Sequence, residues 1–285
     1  MGRLASFIGI VLMAFITVMG CATMYSSSAA LGGLSGNLNI SGSSTVAPLV
    51  AEIAKRFEDE NPGVRIDVQT GGSGKGIADV QNGYADIGMA SRALKSAENS
   101  VVSHRIAADG VSIILHKDNP VKNLDDEQII AIYQNRITNW KQVGGPDRPI
   151  TVVHKAEGRA TLEVFLAYFK LKNPQVKPDV VVGDNQHAVK TVAGDPAAIG
   201  YVSVGTAEAE IQLNTPIKLL PVSGVEATSS NVSSGEFPLS RPLNLVTNPD
   251  KQSSQTELIQ AFIDYCQSED VHDLVDAQHF VPASN

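Results

Sequence analysis

The segment Ser41-Gly-Ser-Ser-Thr-Val-Ala-Pro48 separates a short apolar run, Leu38-Asn-Ile40, from a helical pattern. Downstream of it, apolar residues recur at positions 46, 49, 50, 53, 54 and 57, which is the spacing of one buried helix face. Asn61-Pro-Gly63 ends this helix, and Val64-Arg-Ile-Asp-Val68 alternates apolar and polar residues as a strand does. A strand, a polar loop, a helix and a second strand in this order predict an α/β fold.

Two further segments have the same strand–loop–helix form. The loop Gly71-Gly-Ser-Gly-Lys-Gly76 precedes a short helix, and Glu157-Gly-Arg-Ala-Thr161 opens a helix after a strand over 150–153. The exposed N–H groups and positive dipole end of a helix start attract anions, and Ser or Thr hydroxyls add donors. Each loop alone is also explained as an ordinary helix cap. Arg159 in a first turn opposes the dipole, however, and this favours an anion ligand over capping.

Composition and spacing argue against several classes of protein. The 285 residues carry a net charge of −8 without any Lys/Arg run, which argues against nucleic-acid binding. The glycine loop does not match a nucleotide-binding loop, because Gln69 and Gly76 stand where Gly and Ser or Thr are needed. The dinucleotide fingerprint fails at Ile77. The six histidines show no metal-ligand spacing, which argues against a metal site. We also expect no enzyme activity and no cofactor.

Two groups of ionisable residues have local explanations. His116 follows the strand-like run 112–115, where we expect it to be solvated or to cap a turn. Asp125-Asp-Glu127 lies at a predicted helix start, where negative charge complements the helix dipole. Neither group requires a catalytic interpretation.

The N-terminus reads as a bacterial lipoprotein signal. A single charge, Arg3, precedes an apolar stretch over 4–19, and Val18-Met-Gly-Cys21 resembles the lipoprotein box, in which the cysteine carries the lipid. We therefore predict a signal peptide over 1–20, lipidation of Cys21 and a flexible Ser/Gly/Ala-rich tether over 21–36. The alternative is an uncleaved membrane helix over about 4–24. The second cysteine, Cys266, falls on the apolar side of a predicted helix and is expected in the core.

Five short motifs follow one another along the chain: Ser41–Pro48, Gly72-Ser-Gly74, Ala85-Asp-Ile-Gly-Met-Ala-Ser-Arg92, Ala198-Ile-Gly-Tyr-Val202 and Phe237-Pro-Leu-Ser-Arg-Pro242. In this order they resemble one family, the phosphate-binding proteins of bacterial phosphate ABC transporters. The resemblance runs from about Leu38 to about Phe262. It implies the α/β, two-lobed class II periplasmic binding protein fold, with the ligand in a cleft between lobes and a two-segment hinge.

The resemblance also implies how the chain is divided. Lobe 1 is expected over 37–116 together with 240–285, and lobe 2 over 117–239. The chain is expected to cross outward over 111–116 and to return through the strand 243–246. Two crossing segments allow the lobes to close by small local changes in backbone angles.

The phosphate site is implied residue by residue. The first helix start supplies Ser43, Ser44, Thr45 and Val46, the glycine loop supplies Ser73, the third strand ends in Ser91 and Arg92, and the second-lobe helix begins with Arg159, Ala160 and Thr161.

Two positions depart from the family pattern. Lys155 stands where an arginine is usual, so either Lys155 or Arg159 supplies the second-lobe charge, and we expect Arg159. Ser91 stands where some members carry an aspartate that accepts the proton of hydrogen phosphate and rejects sulfate.

The sequence thus predicts an extracytoplasmic, lipid-anchored solute-binding protein, in the periplasm or at the cell surface. It would capture inorganic phosphate and deliver it to an ABC permease as a monomer, bound to the membrane through its lipid alone. One alternative is the same fold binding sulfate, molybdate or tungstate. Another is a phosphate sensor or adhesin that takes no part in transport. A phosphate-ester hydrolase would need a nucleophile with a base or a metal cluster, and the sequence offers neither.

Overall fold

The computed structural model describes residues 33–251 and 254–283. The predicted signal peptide, the lipidation site Cys21 and the tether up to residue 32 lie outside these residues. In the described ranges, no helix is both long enough and apolar enough to cross a membrane.

Strands of the described residues join in one twisted sheet. They are β1 (Ser35–Gly42), β2 (Gly63–Thr70), β3 (Ile87–Ala90), β4 (Val102–His116), β5 (Thr151–Lys155), β6 (Val180–Val182), β7 (Ala198–Ser203), β8 (Ile217–Leu219), β9 (Ser240–Thr247) and β10 (Val281–Pro282). The order across the sheet is β2-β1-β3-β9-β4-β7-β5-β6, and both β8 and β10 pair with β4.

Helices cover the sheet. They are α1 (Ala47–Glu60), α2 (Ser73–Asn82), α3 (Asp126–Tyr133), α4 (Ala160–Tyr168), α5 (Asn185–Gly194), α6 (Val204–Gln212), α7 (Ser229–Ser233), α8 (Thr256–Cys266) and α9 (His272–Ala277). A 3₁₀ turn over Glu269–Val271 directly precedes α9.

The first strand–helix–strand segment, β1-α1-β2, has the structure that the spacing of its apolar residues predicts. The six apolar positions predicted for one face of α1 are all buried. The strands β1 and β2, which precede and follow α1 in the chain, pair in parallel, from Ser35 opposite Gly63 to Gly42 opposite Thr70. Because β1 begins at Ser35, the prediction that the tether extends to residue 36 is wrong by two residues.

One long strand belongs to both halves of the sheet. Residues 102–110 of β4 pair with β9, whereas residues 111–115 pair with β7. The chain returns beside this point, where Val111 donates its N–H to the carbonyl of Leu239 at 3.0 Å. The chain therefore crosses back into the first half near Leu239, before the strand 243–246 that we predicted as the returning segment. Residues 111–116, predicted as the outward crossing, are strand residues in the sheet of the second half.

Each half has its own core. Phe57 of α1 meets Phe262 of α8 edge-to-face, with ring centroids 5.3 Å apart, beside the buried Cys266. In the second half, Trp140 and Phe165 are fully buried, and the Trp140 indole donates to the carbonyl of Ala197 at 2.8 Å. Burial of each such side chain contributes about 2–3 kcal/mol, so each half has a substantial core of its own.

The two local interpretations of ionisable residues are confirmed. The buried His116 accepts the N–H of Asp118 on Nδ1 at 3.1 Å, which caps the turn after β4. Asp125 caps α3 by accepting the N–H of Gln128 at 2.7 Å, and acidic residues occupy the first turn of this helix.

Candidate anion-binding site

The starts of α1, α2 and α4 meet where the two halves of the molecule touch. The carboxyl ends of parallel strands lie at one edge of a sheet, so the loops that follow them come together there. Gly74, in the first turn of α2, donates its N–H to the carbonyl of Gly158 before α4 at 3.2 Å. A Cβ on Gly72 would lie 2.7 Å from the same carbonyl oxygen, so this approach of the two halves requires glycine.

Ser43 joins the predicted first-lobe residues into one network. Its buried Oγ accepts the N–H groups of Thr45 at 3.2 Å and Val46 at 3.4 Å, at the start of α1. The same hydroxyl donates to Ser91 Oγ at 2.9 Å. Ser91 in turn donates its N–H to Ser73 Oγ at 3.0 Å, so five of the seven predicted first-lobe residues belong to one hydrogen-bond network.

Arg241 lies at the centre of these hydroxyls, although the sequence analysis did not name it as a site residue. Its Nη1 donates to Thr161 Oγ1 at 2.9 Å and to Ser91 Oγ at 3.3 Å, and its Nη2 donates to Thr45 Oγ1 at 3.3 Å. Arg241 therefore touches predicted residues from both halves. The quoted motif Phe237–Pro242 could have indicated this role, because it places a charged arginine directly before a run that contains Leu243, Leu245 and Val246.

Asp109 is the counter-ion of Arg241 and was also missed. Its Oδ2 accepts from Arg241 Nε at 3.1 Å and Nη2 at 2.8 Å, and its Oδ1 accepts the N–H of Gly205 at 3.2 Å. Their side chains are 0% and 1% exposed. A charge so deeply buried needs a partner of opposite charge. Asp109 is the single acidic residue inside the apolar run 106–115, and this could have indicated a buried ion pair.

Lys155 is buried in the second half beside the site. Its Nζ donates to the carbonyl of Asp184 at 2.5 Å and to Asn185 Oδ1 at 3.2 Å. The pKa of Lys155 is lowered to about 7, mainly by burial, with Asp184 opposing the shift and the charges of Arg241 and Arg159 adding to it. Three cationic side chains are therefore gathered at one place, which is the electrostatics of an anion site.

Asn185, another residue that the sequence analysis did not name, bridges the two halves. Its Nδ2 donates to Thr45 Oγ1 at 3.1 Å and to Thr206 Oγ1 at 3.3 Å. With the predicted residue Ser44, Asn185 also lines a cavity of about 360 Å³ at the mouth of the cleft. Nothing in the sequence around Asn185 marks it, because an asparagine at a helix start is ordinary.

Arg159 stands at the N-cap position of α4, immediately before Ala160 and Thr161. Its Nη2 lies 3.7 Å from the position that a Cβ on Gly183 would occupy. Across residues 33–251 and 254–283, no hydrogen bond or ion pair of the Arg159 guanidinium is found, whereas Lys155 is bound to protein acceptors. Arg159 is thus the second-half cation with donors to offer a ligand.

Arg92 is held by carboxylates. Its Nη1 and Nη2 bind Glu98 at 2.8 and 2.7 Å, and its Nε lies 2.9 Å from Glu163 Oε2 on α4. Lys95 reaches the same Glu163 oxygen at 2.7 Å. Arg92, which we predicted as a phosphate-binding residue, therefore links the two halves through Glu163. In the described part of the chain, its side chain makes no hydrogen bond to the hydroxyls around Arg241.

The site offers donors and positive charge. In the described residues, no histidine hydrogen-bonds to a site hydroxyl, and no group of three or more His, Cys, Asp or Glu side chains could hold a metal ion. The arrangement suits the binding of a small polar anion between two lobes. Fold and site together define the class as two-lobed α/β binding proteins.

The chain belongs to the PBP superfamily, whose domain model matches residues 27–270. It is 30% identical over 256 residues to the phosphate-binding protein PstS of Bacillus subtilis, a match that covers 88% of this chain and 82% of the relative. PstS of Borreliella burgdorferi is 26% identical, with 86% and 89% covered.

Solved structures agree with this assignment. A phosphate ABC transporter substrate-binding protein from Clostridium perfringens, with bound phosphate, superimposes with a TM-score of 0.80 at 33% identity, covering 87% of this chain and all of that one. An ABC-type phosphate transport receptor from Vibrio cholerae gives a TM-score of 0.70 at 31% identity, with 86% and 100% covered. The predicted family and the two-lobed class II fold are confirmed.

Proposed function

We propose that this protein captures inorganic phosphate between its two lobes, outside the cytoplasm, and delivers it to an ABC permease without catalysing a reaction. The observation that carries this proposal is the convergence of hydroxyls from both lobes on Arg241. Ser91 and Thr45 come from lobe 1 and Thr161 comes from lobe 2. A tetrahedral oxyanion needs donors from several directions, and this arrangement supplies them.

The electrostatics of the site support an anion, although the whole chain carries a charge of −8. Arg241, Arg159 and Lys155 lie close enough for the two arginines to lower the lysine pKa. The starts of α1 and α4 add the positive ends of two helix dipoles. Distant surface carboxylates are screened by salt, so the nearby charges dominate the potential at the site.

Contacts across the cleft support a binding step coupled to lobe closure. Gly74 bonds to Gly158, Asn185 bonds to Thr45, and Arg92 pairs with Glu163. A ligand held by both lobes stabilises the closed arrangement relative to an open one by the contacts that it gains on closing. Tight capture and later release at a permease both follow from this coupling.

Membrane anchoring rests on the sequence. The segment Val18-Met-Gly-Cys21 and the uncharged tether after it support a lipid on Cys21. We propose that the lipid holds the protein at the outer side of a membrane, within reach of the permease. The Bacillus subtilis relative is named a phosphate-binding protein and the Clostridium perfringens structure a phosphate ABC transporter substrate-binding protein, which supports a role without catalysis.

Calorimetric titration of the full chain with inorganic phosphate tests the proposed function. We expect one phosphate per chain, and Thr161→Val, which removes a hydroxyl at nearly constant volume, should weaken binding about tenfold. Thr191→Val is the matched control, because Thr191 Oγ1 donates to the carbonyl of His187 within α5. Absence of binding to the wild-type chain, or equal losses in the two variants, would contradict the proposal.

A further inference from the structure

The hydrogen bonds around Ser43 fix the direction of its hydroxyl. A serine oxygen has two lone pairs and one proton. Both lone pairs of Ser43 Oγ accept backbone N–H groups, from Thr45 at 3.2 Å and from Val46 at 3.4 Å. The proton of Ser43 must therefore point to its remaining neighbour, Ser91 Oγ, at 2.9 Å.

The same reasoning fixes the next two hydroxyls. Ser91 Oγ accepts from Ser43 and from Arg241 Nη1 at 3.3 Å, so both its lone pairs are used and its proton is left to donate. Thr45 Oγ1 accepts from Asn185 Nδ2 at 3.1 Å and from Arg241 Nη2 at 3.3 Å, with the same result. Ser91 and Thr45 are thus donors to whatever occupies the cleft.

The carboxylates near the site are bound to other groups. Asp109 lies along the Nε–Nη2 edge of Arg241 and also accepts from Gly205, whereas Nη1 of the same guanidinium points to the hydroxyls. Asp184, at the mouth of the cleft, caps α5 by accepting the N–H of His187 at 2.8 Å. Glu98 and Glu163 pair with Arg92.

Two hydroxyls keep one free lone pair each. Ser73 Oγ accepts the N–H of Ser91, and Thr161 Oγ1 accepts from Arg241. Either hydroxyl can accept the proton of hydrogen phosphate, but either can also rotate and donate to an anion that has no proton. A carboxylate cannot change roles in this way, and that inability is what allows a carboxylate to reject sulfate.

We infer that the cleft binds tetrahedral dianions whether or not they carry a proton, so that sulfate competes with phosphate for this site. This inference rests on the proposed function, because it concerns the same cleft, and it widens the class of ligand. A site built to bind a ligand proton rejects the analogue without it by about 10⁴-fold, whereas rotating hydroxyls leave no acceptor unpaired. We expect sulfate to bind within about 100-fold of phosphate.

Calorimetric titration of the full chain at pH 8 with phosphate, with sulfate, and with phosphate in the presence of sulfate tests the inference. We expect both anions to bind one site competitively. Ser91→Asp, which places an acceptor among the hydroxyls, should raise the ratio of the sulfate to the phosphate dissociation constant by more than about 100-fold. Phosphate binding without detectable sulfate binding would overturn the inference.

Ser91→Ala and Asp184→Asn keep the inference testable if the buried aspartate impairs folding. Because Ser91 donates, its removal should weaken both anions by similar factors, and selective loss of phosphate binding would identify Ser91 as the proton acceptor and overturn the inference. A gain in sulfate binding by Asp184→Asn would likewise overturn it. Sulfate binding without phosphate binding, or no binding of either anion, would contradict both the inference and the proposed phosphate function, whereas phosphate binding without sulfate binding overturns the inference alone.

Discussion

Arg241 binds Asp109 through Nε and Nη2 at 3.1 and 2.8 Å, and the pair is enclosed where the chain crosses between the lobes. Burying two charges costs several kcal/mol per ion, which their attraction offsets only when the geometry is good. The arrangement has a consequence for binding, because Asp109 orients the guanidinium so that its other edge faces Thr161 and Ser91. The ion pair is thus the base on which the site hydroxyls are assembled.

Replacement of Arg241 should damage both folding and binding. Arg241→Met leaves the Asp109 carboxylate buried without a partner, so we expect the free energy of unfolding to fall by about 3–5 kcal/mol and phosphate binding to be lost. Urea unfolding and calorimetry measure the two effects. The double variant Arg241→Met with Asp109→Leu should recover stability without binding. Retention of phosphate binding by either variant would rule out Arg241 as part of the site.

The ion pairs of Glu163 should hold the lobes together. Glu163→Gln removes a charge that Arg92 and Lys95 share across the cleft, so we expect phosphate to dissociate about fivefold faster, as a partly exposed ion pair of about 1 kcal/mol implies. Stopped-flow release kinetics measure this rate. The matched control is Asp273→Asn, which removes the ion pair with Arg56 within lobe 1. If the two variants release phosphate equally fast, Glu163 has no role in closure.

The two second-lobe cations should differ in their contribution to binding. The Arg159 donors have no protein acceptor among the described residues, whereas Lys155 is bound to Asp184 and Asn185. We therefore expect Arg159→Ala to weaken phosphate binding more than tenfold and Lys155→Ala to weaken it much less. Calorimetry at pH 6 compares them with both cations charged. Equal, small losses would mean that the second-lobe part of the site lies elsewhere.

The buried Lys155 should make the stability of the ligand-free protein depend on pH. Its pKa is lowered from 10.5 to about 7 in the folded state, so between these values the unfolded chain binds a proton that the folded chain does not. The free energy of unfolding should therefore rise with pH across this window. Urea unfolding at pH 6 and pH 9 should show a gain for the wild-type chain relative to Lys155→Met. A loss of stability between pH 6 and pH 9, relative to Lys155→Met, would contradict the lowered pKa of Lys155.

The reactivity of the two cysteine thiols tests both the burial of Cys266 and the predicted lipidation of Cys21. Burial raises the pKa of the Cys266 thiol and shields it from reagents, so the native protein from bacterial membranes should show no reactive thiol. Denaturation should release one, from Cys266. A second thiol after denaturation would mean that Cys21 carries no lipid. A thiol that reacts before denaturation would mean either that Cys266 is accessible or that Cys21 is free.

Local spacing predicted much of the fold. The buried face of α1, the alternation of β2 and the cap of α3 depend on neighbours a few residues apart, and for such features the sequence carries the physical information directly. The hydroxyls at Ser43, Thr45 and Ser91 were named in another way, through the resemblance of short motifs to one family.

Tertiary structure alone decided which charges the site contains. Arg241 and Asp109 are 132 residues apart and Asn185 and Thr45 are 140 apart, so nothing local marks these pairs. Arg92, by contrast, was predicted as a site residue from the sequence, and the structure pairs it with a protein carboxylate. It follows the third strand as predicted, but the approach of α4 brings Glu163 to its Nε. Charges act over distances in space, and only the packing of two lobes determines which donors are left for a ligand and which are bound by the protein.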